Sequence, residues 1–286
     1  MPSAELRFGR GQAPDPAGAA PGGPLPAPRI APARGHWRSA GRSVGGVVVA
    51  IAVWELVSVS GLVTNQAMAG VGETASAIGA HAGTLVTAAG GTLKAWAVGI
   101  AIAIAAGVVI GSLVGRSRVA EAFTEGLVRM MRPLPSLALI PVAILVAGLG
   151  LTMTAGLVAF TSFWPIFINT RYGVRQVDNL LMDTGRTLGL HGPRLLLKVV
   201  MPAAAPLIAS GIQVAISLAL VVTVSVELVG GTGGLGTLVL QAQQGNAVPM
   251  MYAGIIVGGF IGWGLNIGFA SLVRRTLPWS NRLESA

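Results

Sequence analysis

Cysteine is absent from all 286 residues. Disulfides, thiolate metal sites and cysteine nucleophiles are thereby excluded. Charge is scarce as well: Asp, Glu, Lys and Arg make up 10% of the chain, against about 25% in a soluble domain. So few ionic side chains cannot coat a water-facing surface. No G-x-x-x-x-G-K-[ST] occurs, so the chain lacks the phosphate cradle of an ATPase. The 3 histidines, His36, His81 and His191, are far apart in sequence, which argues against a metal site. Paired aspartates, or a serine matched with lysine or histidine on facing helices, are not visible, so an intramembrane hydrolase or lipid transferase has no catalytic set. The expectation is a protein that is not an enzyme and binds no cofactor.

Apolar residues are abundant instead, at 53% of the chain with mean hydropathy +0.73. Several runs approach or exceed the roughly 18 to 20 residues that cross a bilayer. They cover Ser43–Val63, Leu93–Val114, two stretches between Pro133 and Thr170 divided near Gly148-Leu149-Gly150, Ala203–Val229 and Met250–Val273. The count is six if 133–170 is a hairpin and five if it is one broken helix. Residues 1–36, rich in Pro, Ala and Gly without apolar periodicity, read as a disordered tail rather than a signal peptide. Residues 37–275 read as the membrane domain and 276–286 as a C-terminal tail.

The basic residues decide the count. Six arginines (7, 10, 29, 34, 38, 42) precede the first run and four (116, 118, 129, 132) separate the second and third. Arg171, Arg175, Arg186, Arg194 and Lys198 separate the fourth and fifth, and Arg274, Arg275 and Arg282 follow the last. Only Lys94 of the 19 Lys and Arg residues falls elsewhere, at the mouth of the second run. Six spans place all four groups on one face, which the positive-inside rule makes cytoplasmic, together with both termini. Five would split them. The net charge of +9 is thus a topological signal, and nucleic acid is not an expected partner.

Within the spans, Gly99, Ala103, Gly107, Gly111 and Gly115 recur every 4 residues, as do Gly254, Gly258, Gly262, Asn266 and Ala270. Such strips let helices approach closely in lipid. Tight packing inside one bundle is the expected use, and a dimer seam the alternative.

The segment Asn169–Gly211 is the most informative. A short helix is expected over Val177–Leu188, capped by Asp178 or Asn179, broken by Gly189 and Gly192-Pro193, with a second helix from near Arg194. It carries Asp183-Thr184-Gly185, three residues, Gly189, nine residues, then Val199-Val200-Met201-Pro202. This spacing resembles the signature of membrane-spanning subunits of bacterial ABC importers of the nitrate/sulfonate/taurine group: Glu-Ala-Ala, three residues, Gly, nine residues, Ile-x-Leu-Pro. Asp for Glu, Thr-Gly for Ala-Ala, and Val and Met for Ile and Leu are departures. Further likeness lies in Arg132-Pro133-Leu134-Pro135-Ser136 with Ile140-Pro141, in Phe163-Trp164-Pro165-Ile166 with Asn169-Thr170 and Gly173-Val174, and in Glu227-Leu228 with Gly234-Leu235-Gly236. Together these cover residues 43 to 275.

The resemblance implies an all-α, six-helix type I importer permease of the inner membrane, working as a homodimer with ABC ATPase subunits that bind ATP-Mg and an external solute-binding protein. Asp183, Thr184, Gly185, Arg186, Thr187, Leu188, Gly189 and Pro202 would form the coupling helix and turn that dock on the ATPase. Gly189 suits a sharp turn and Pro202 the first turn of the following helix. Gly185 would soften the coupling helix by about 1 kcal/mol relative to alanine. Substrate would be a small anion such as nitrate, a sulfonate or taurine. A stand-alone secondary transporter or channel is the alternative, which predicts internal repeats or several intramembrane charges, and neither stands out.

Glu55 and Glu227 lie in or near apolar runs. A carboxylate at mid-bilayer costs roughly 2.5 to 3.5 kcal/mol, so each is a candidate for the translocation path. Because Glu227 would repel an anion, a structural hydrogen-bonding role is favoured, and the same holds for Glu55 beside Trp54. Gly231-Thr232-Gly233-Gly234-Leu235-Gly236 fits G-x-G-x-x-G, yet no acidic residue follows at about 20 residues. A re-entrant loop near an outer gate is expected there, not a dinucleotide site.

Overall fold

The computed structural model describes residues 36–60, 67–131, 135–230 and 233–279, and only the backbone of 36–44 and 118. The expected N-terminal tail and most of the C-terminal one lie outside these residues. Contacts divide the chain into two units, 1–50 and 51–286. The first contains the opening turns of α1 (His36–Val59) and the second holds the bundle.

Helices follow in the order α2 (Val71–Ala80), α3 (Ala82–Gly115), α4 (Arg118–Met131), a 3-10 turn (Ser136–Leu139), α5 (Ile140–Ala147), α6 (Leu151–Arg175), α7 (Asn179–Thr187), α8 (Gly192–Leu195), a π turn (Leu196–Val200), α9 (Met201–Gly230), α10 (Leu235–Gln244) and α11 (Val248–Thr276). The stretch from α8 through α9 runs as one helix, Gly192–Gly230. Among the described residues, that helix, α3, α6 and α11 are the 4 long and apolar enough to cross a membrane.

The glycine strip of α3 lies against α6. A Cβ at Gly99 would stand 2.6 Å from the Val158 side chain, at Gly107 2.7 Å from Ile166, at Gly111 2.8 Å from Thr170, and at Gly115 2.9 Å from the Arg171 carbonyl. Lipid offers no hydrophobic reason for helices to pair, so backbone proximity and dispersion hold this seam. The strip therefore packs inside the bundle. The second strip does likewise: Cβ atoms at Gly254 and Gly262 would press on Val239 of α10 and Leu220 of α9. Around the α3–α6 seam, Ile100, Ala103, Ile140, Met153, Val158, Ile166, Ala219 and Val226 form the main apolar core.

Contact registers also give direction. Residues rise together along α3 and α6, so the two are parallel. Gly173 meets Ala204 whereas Gly211 meets Asn169, so α9 runs antiparallel to α6. Gly262 meets Leu220, and Asn266 Nδ2 donates to Ser217 Oγ at 2.7 Å, so α11 is antiparallel to α9. The C-termini of α3, α6 and α11 and the start of α8 consequently share one end of the bundle. Arg116, Arg175, Arg194, Lys198, Arg274 and Arg275 all belong to that end.

One expectation needs correction. Parallel α3 and α6 require the chain between them to recross, as a hairpin would. Yet the expected third span is not one long helix. It is the 3-10 turn and the eight-residue α5, bent by 84° from α4. Pro135 precedes the 3-10 turn and Pro141 stands in the first turn of α5, where a missing N–H is harmless but upstream continuation is not. The expected first run, Ser43–Val63, begins within α1 and ends in residues that lie outside the described ones. In contrast, α3 starts well before its apolar run. At 1.5 Å per residue its 34 residues extend about 51 Å, beyond a hydrocarbon core of about 30 Å.

Candidate functional site

At the basic end, α7 is a helix of nine residues. The Asp178 side chain accepts from the Leu180 N–H at 2.9 Å and so caps its start. Its exit is a glycine-capped turn: Leu190 N–H bonds the Gly185 carbonyl at 3.0 Å, Gly189 N–H bonds the Arg186 carbonyl at 2.9 Å, and Gly189 has φ +78°. The helix expected over 177–188 and the turn at Gly189 are thus where the sequence places them.

Side chains of the segment divide by face. Gly185 is buried, and a Cβ there would meet Leu195 Cδ1 at 2.6 Å and Val199 Cγ2 at 3.2 Å. The glycine that weakens helix propensity lets α7 sit down on the helix that follows. Asp183 and Arg186 pair at 2.9 Å on the exposed side, and the Thr184 and Thr187 hydroxyls donate to Leu180 and Asp183 carbonyls. An exposed i,i+3 pair adds little to stability. Leu180 and Leu188 are 72% and 75% exposed, two large apolar side chains left mostly in the open at the end of the molecule where the basic residues gather.

Pro202 is not in a first turn. Ten residues of continuous helix precede it, and Pro193 occupies the first-turn position instead. The π turn Leu196–Val200 just before Pro202, closed by Met201 N–H on the Leu196 carbonyl, widens the helix where proline cannot donate. Next to α7, a cavity of about 420 Å³ is lined by Arg116, Glu121, Met182, Arg175 and Arg186. Arg175 pairs with Glu121 of α4, and Arg116 reaches the Gly192 carbonyl at 3.5 Å, so α4 and the α7–α8 turn are tied to the ends of α6 and α3.

Glu227 lies at the opposite end, near the C-terminus of α9, with 1% of its surface exposed. Its Oε2 accepts from Thr92 Oγ1 of α3 at 2.9 Å and from the Gly236 N–H of α10 at 3.0 Å. Thr92 Oγ1 in turn accepts from the Leu235 N–H at 2.8 Å, and Thr237 Oγ1 donates to the Glu227 carbonyl at 3.1 Å. One carboxylate thereby joins α3, α9 and the start of α10. Cβ atoms at Gly234 or Gly236 would collide with Glu227, which explains glycine at both. The part of the glycine-rich loop at 231–232 lies outside the described residues.

Glu55 is elsewhere. It is exposed, and its Oε2 accepts from the Val71 N–H at 2.8 Å, at the first residue of α2. Trp54 Nε1 donates to the Ala69 carbonyl at 3.0 Å beside it. Glu55 therefore fastens the end of α1 to α2, and it lines a different cavity from Glu227. Among the described residues no three His, Cys, Asp or Glu side chains cluster to hold a metal.

The cavity beside Glu227 measures about 900 Å³ and is bounded by α3, the start of α6, the end of α9 and α10. Lys94, Thr84, Thr87, Thr154, Thr237 and Gln241 are among its walls. Sequence reasoning did not find Thr92, Thr237 or Gln241, because hydroxyls and amides in apolar helices carry no spacing signal. Lys94 did have one, since it stands apart from every other basic residue.

A helical bundle with Arg116, Arg175, Arg194, Lys198, Arg274 and Arg275 gathered at one end, and a capped, outward-facing short helix there, has counterparts among known proteins. Residues 99–279 match the family described as the binding-protein-dependent transport system inner membrane component. The chain belongs to this family. It is 32% identical over 188 residues to the putative aliphatic sulfonates transport permease protein SsuC of Bacillus subtilis, covering 66% of this chain and 68% of that one. To the taurine transport system permease protein TauC of Escherichia coli it is 28% identical over 177 residues, 62% of this chain and 64% of the relative. The bicarbonate transport system permease protein CmpB of Synechococcus elongatus is 33% identical over 156 residues, 54% and 56% of the two chains. Among solved structures, an amino acid ABC transporter aligns with TM-score 0.55 and 18% identity over 70% of this chain and 96% of its own. The MetNI methionine ABC transporter in an inward-facing conformation aligns with TM-score 0.54 and 18% identity over 65% and 94%. These two speak for the fold. The permease is an integral inner-membrane transport component, and the type I importer fold read from its sequence is the fold it has.

Proposed function

We propose that the chain is the translocation subunit of an ATP-driven importer for a small oxyanion, with α7 as the lever that a separate ATPase grips. The observation that carries this reading is the exposure of Leu180 and Leu188 on a rigid helix seated through Gly185. A short capped helix transmits displacement without absorbing it, and apolar side chains held out in water gain by burial in a partner cleft, each by roughly 1.5 to 3 kcal/mol. Asp183, Thr184, Arg186 and Thr187 surround these two and supply the polar rim, while Gly189 and the α8–α9 helix bearing Pro202 carry motion into the bundle.

ATP-Mg belongs to the partner, since this chain has no P-loop. Gathering of the arginines at the end that holds α7 supports a cytoplasmic position for that end, for α7 and for both termini. The membrane domain then spans 37–275, with tails at 1–36 and 276–286. The Glu227 end faces outward, where a solute-binding protein would deliver substrate to a homodimer of this chain. The similarity to permeases named for sulfonates, taurine and bicarbonate supports an oxyanion cargo.

Copurification tests the reading. A P-loop ATPase should come down with the full-length chain, and Leu188→Asp should reduce its recovery at least ten-fold while thermal stability in detergent stays within a degree or two. Transport by the chain without any ATPase would instead identify a stand-alone transporter or channel.

A further inference from the structure

Eighteen of the 19 Lys and Arg residues belong to the four basic groups. Lys94 is the exception. It lies 21 residues before the end of α3, hence about 32 Å from the basic end of the bundle, on the wall of the cavity of about 900 Å³. We propose that this cavity is an oxyanion-binding subsite on the outer part of the transport path, with the Lys94 ammonium as its charge partner. The proposal rests on the permease reading and goes beyond it by assigning residues to the cargo.

Helical periodicity aims these residues together. Thr84, Thr87, Gly91 and Lys94 are spaced by 3, 4 and 3, so a single face of α3 lines the cavity, opposite Thr237 and Gln241 of α10. The volume falls within the range of small-molecule sites, about 300 to 1,000 Å³. Donor chemistry narrows the ligand. Thr87 Oγ1 donates to the Gly83 carbonyl, and Thr237 Oγ1 to that of Glu227, so those hydroxyl protons are committed. Lys94 has no hydrogen-bond or ion-pair partner among the described residues, and the Gln241 amide makes no side-chain bond among them. Lys94 and Gln241, both exposed, therefore bring three ammonium donors and two amide donors to the cavity wall that are uncommitted among the described residues.

Among the described residues Glu227 is the one carboxylate on the cavity wall, and it argues less against an anion than its charge suggests. It is 99% buried, and Oε2 is held by the Thr92 hydroxyl and the Gly236 N–H. It belongs to the wall. A sulfonate, carboxylate or bicarbonate would find at Lys94 a charge-assisted donor of the kind that shortens and strengthens a hydrogen bond.

The test uses full-length chain in lipid nanodiscs, with whatever ATPase it retains and without a binding protein. Thermal unfolding is followed with millimolar ethanesulfonate, bicarbonate or ethylammonium at constant ionic strength. At least one of the two oxyanions should raise the Tm of the wild type and of Lys94→Arg, and ethylammonium should not. Lys94→Gln should bind that oxyanion at least about ten-fold more weakly, losing the shift at the same concentration. The proposal is overturned if neither oxyanion stabilises the wild type, if ethylammonium stabilises it equally, or if Lys94→Gln responds like the wild type. A Lys94→Gln variant that takes up solute poorly from the binding protein yet keeps its oxyanion shift also overturns it, and marks Lys94 as a docking contact. ATPase retention, scored on the same wild-type preparation, reports on the permease reading separately.

Discussion

Thr92 Oγ1 on α3 lies 2.9 Å from Glu227 Oε2 on α9, joining residues 135 positions apart in a buried contact. The same hydroxyl accepts from the Leu235 N–H, and the same carboxylate oxygen from the Gly236 N–H, so two backbone donors at the start of α10 depend on this pair. Removing the carboxylate leaves a buried N–H without an acceptor. We expect Glu227→Leu to cost roughly 2 to 5 kcal/mol, and Glu227→Gln, which keeps one acceptor oxygen, about 1 kcal/mol. Thermal unfolding of the two variants in the same lipid checks the order. Equal, negligible losses would show that the clasp does not hold the outer end together.

The α3–α6 seam predicts opposite signs for one chemical change. Ala at 107 would place a methyl 2.7 Å from Ile166 Cγ2 and 2.9 Å from its Cβ, and must push the helices apart, a loss of about 1 to 3 kcal/mol. Ala at 126 on α4 meets nothing within 4 Å and gains helix propensity, up to about 1 kcal/mol. Measured by unfolding, Gly107→Ala should lower stability while Gly126→Ala leaves it unchanged or raises it.

At Gly185 the nearest obstacle is Leu195 Cδ1, the far end of a flexible side chain. Gly185→Ala should therefore be tolerated, because a rotamer change at Leu195 makes room. Gly185→Leu cannot be absorbed that way and should lift α7 off α8, reducing ATPase recovery several-fold. The double variant Gly185→Leu with Leu195→Ala should restore much of that recovery. If the second change rescues nothing, the seat of α7 is not this contact.

Much of this was readable in advance, for physical reasons that differ by element. Long apolar runs reveal α6, α9 and α11 because lipid demands them, and the arginines reveal which ends meet because a membrane sorts charge. The α7 helix and its exit announced themselves through Asp178 and Gly189, local signals that need no partner. What the sequence concealed depends on long-range contact. Nothing about Gly185 in isolation shows that Leu195 returns over it. Pro202 read as a first-turn residue because a π turn leaves no composition signature. The third span read as a helix because hydropathy does not register how Pro135 and Pro141 cut its length. Glu227 could be recognised as structural, but Thr92 could not be named as its partner, since the pairing spans 135 residues.

The turn after α7 gives the last prediction. Gly189 holds φ +78° with open space around its α-carbon, so only backbone strain opposes a side chain there. Gly189→Ala must adopt the left-handed region at a cost of about 1 to 2 kcal/mol, local to the turn. Gly189→Pro forbids that φ outright and also removes the N–H that bonds the Arg186 carbonyl. The bundle is not touched by either change, so membrane insertion and the unfolding temperature should stay close to wild type. The ratio of solute imported to ATP hydrolysed should fall modestly for Ala and at least ten-fold for Pro, measured in proteoliposomes with the ATPase and binding protein present. Normal coupling in Gly189→Pro would mean that force does not pass through this turn.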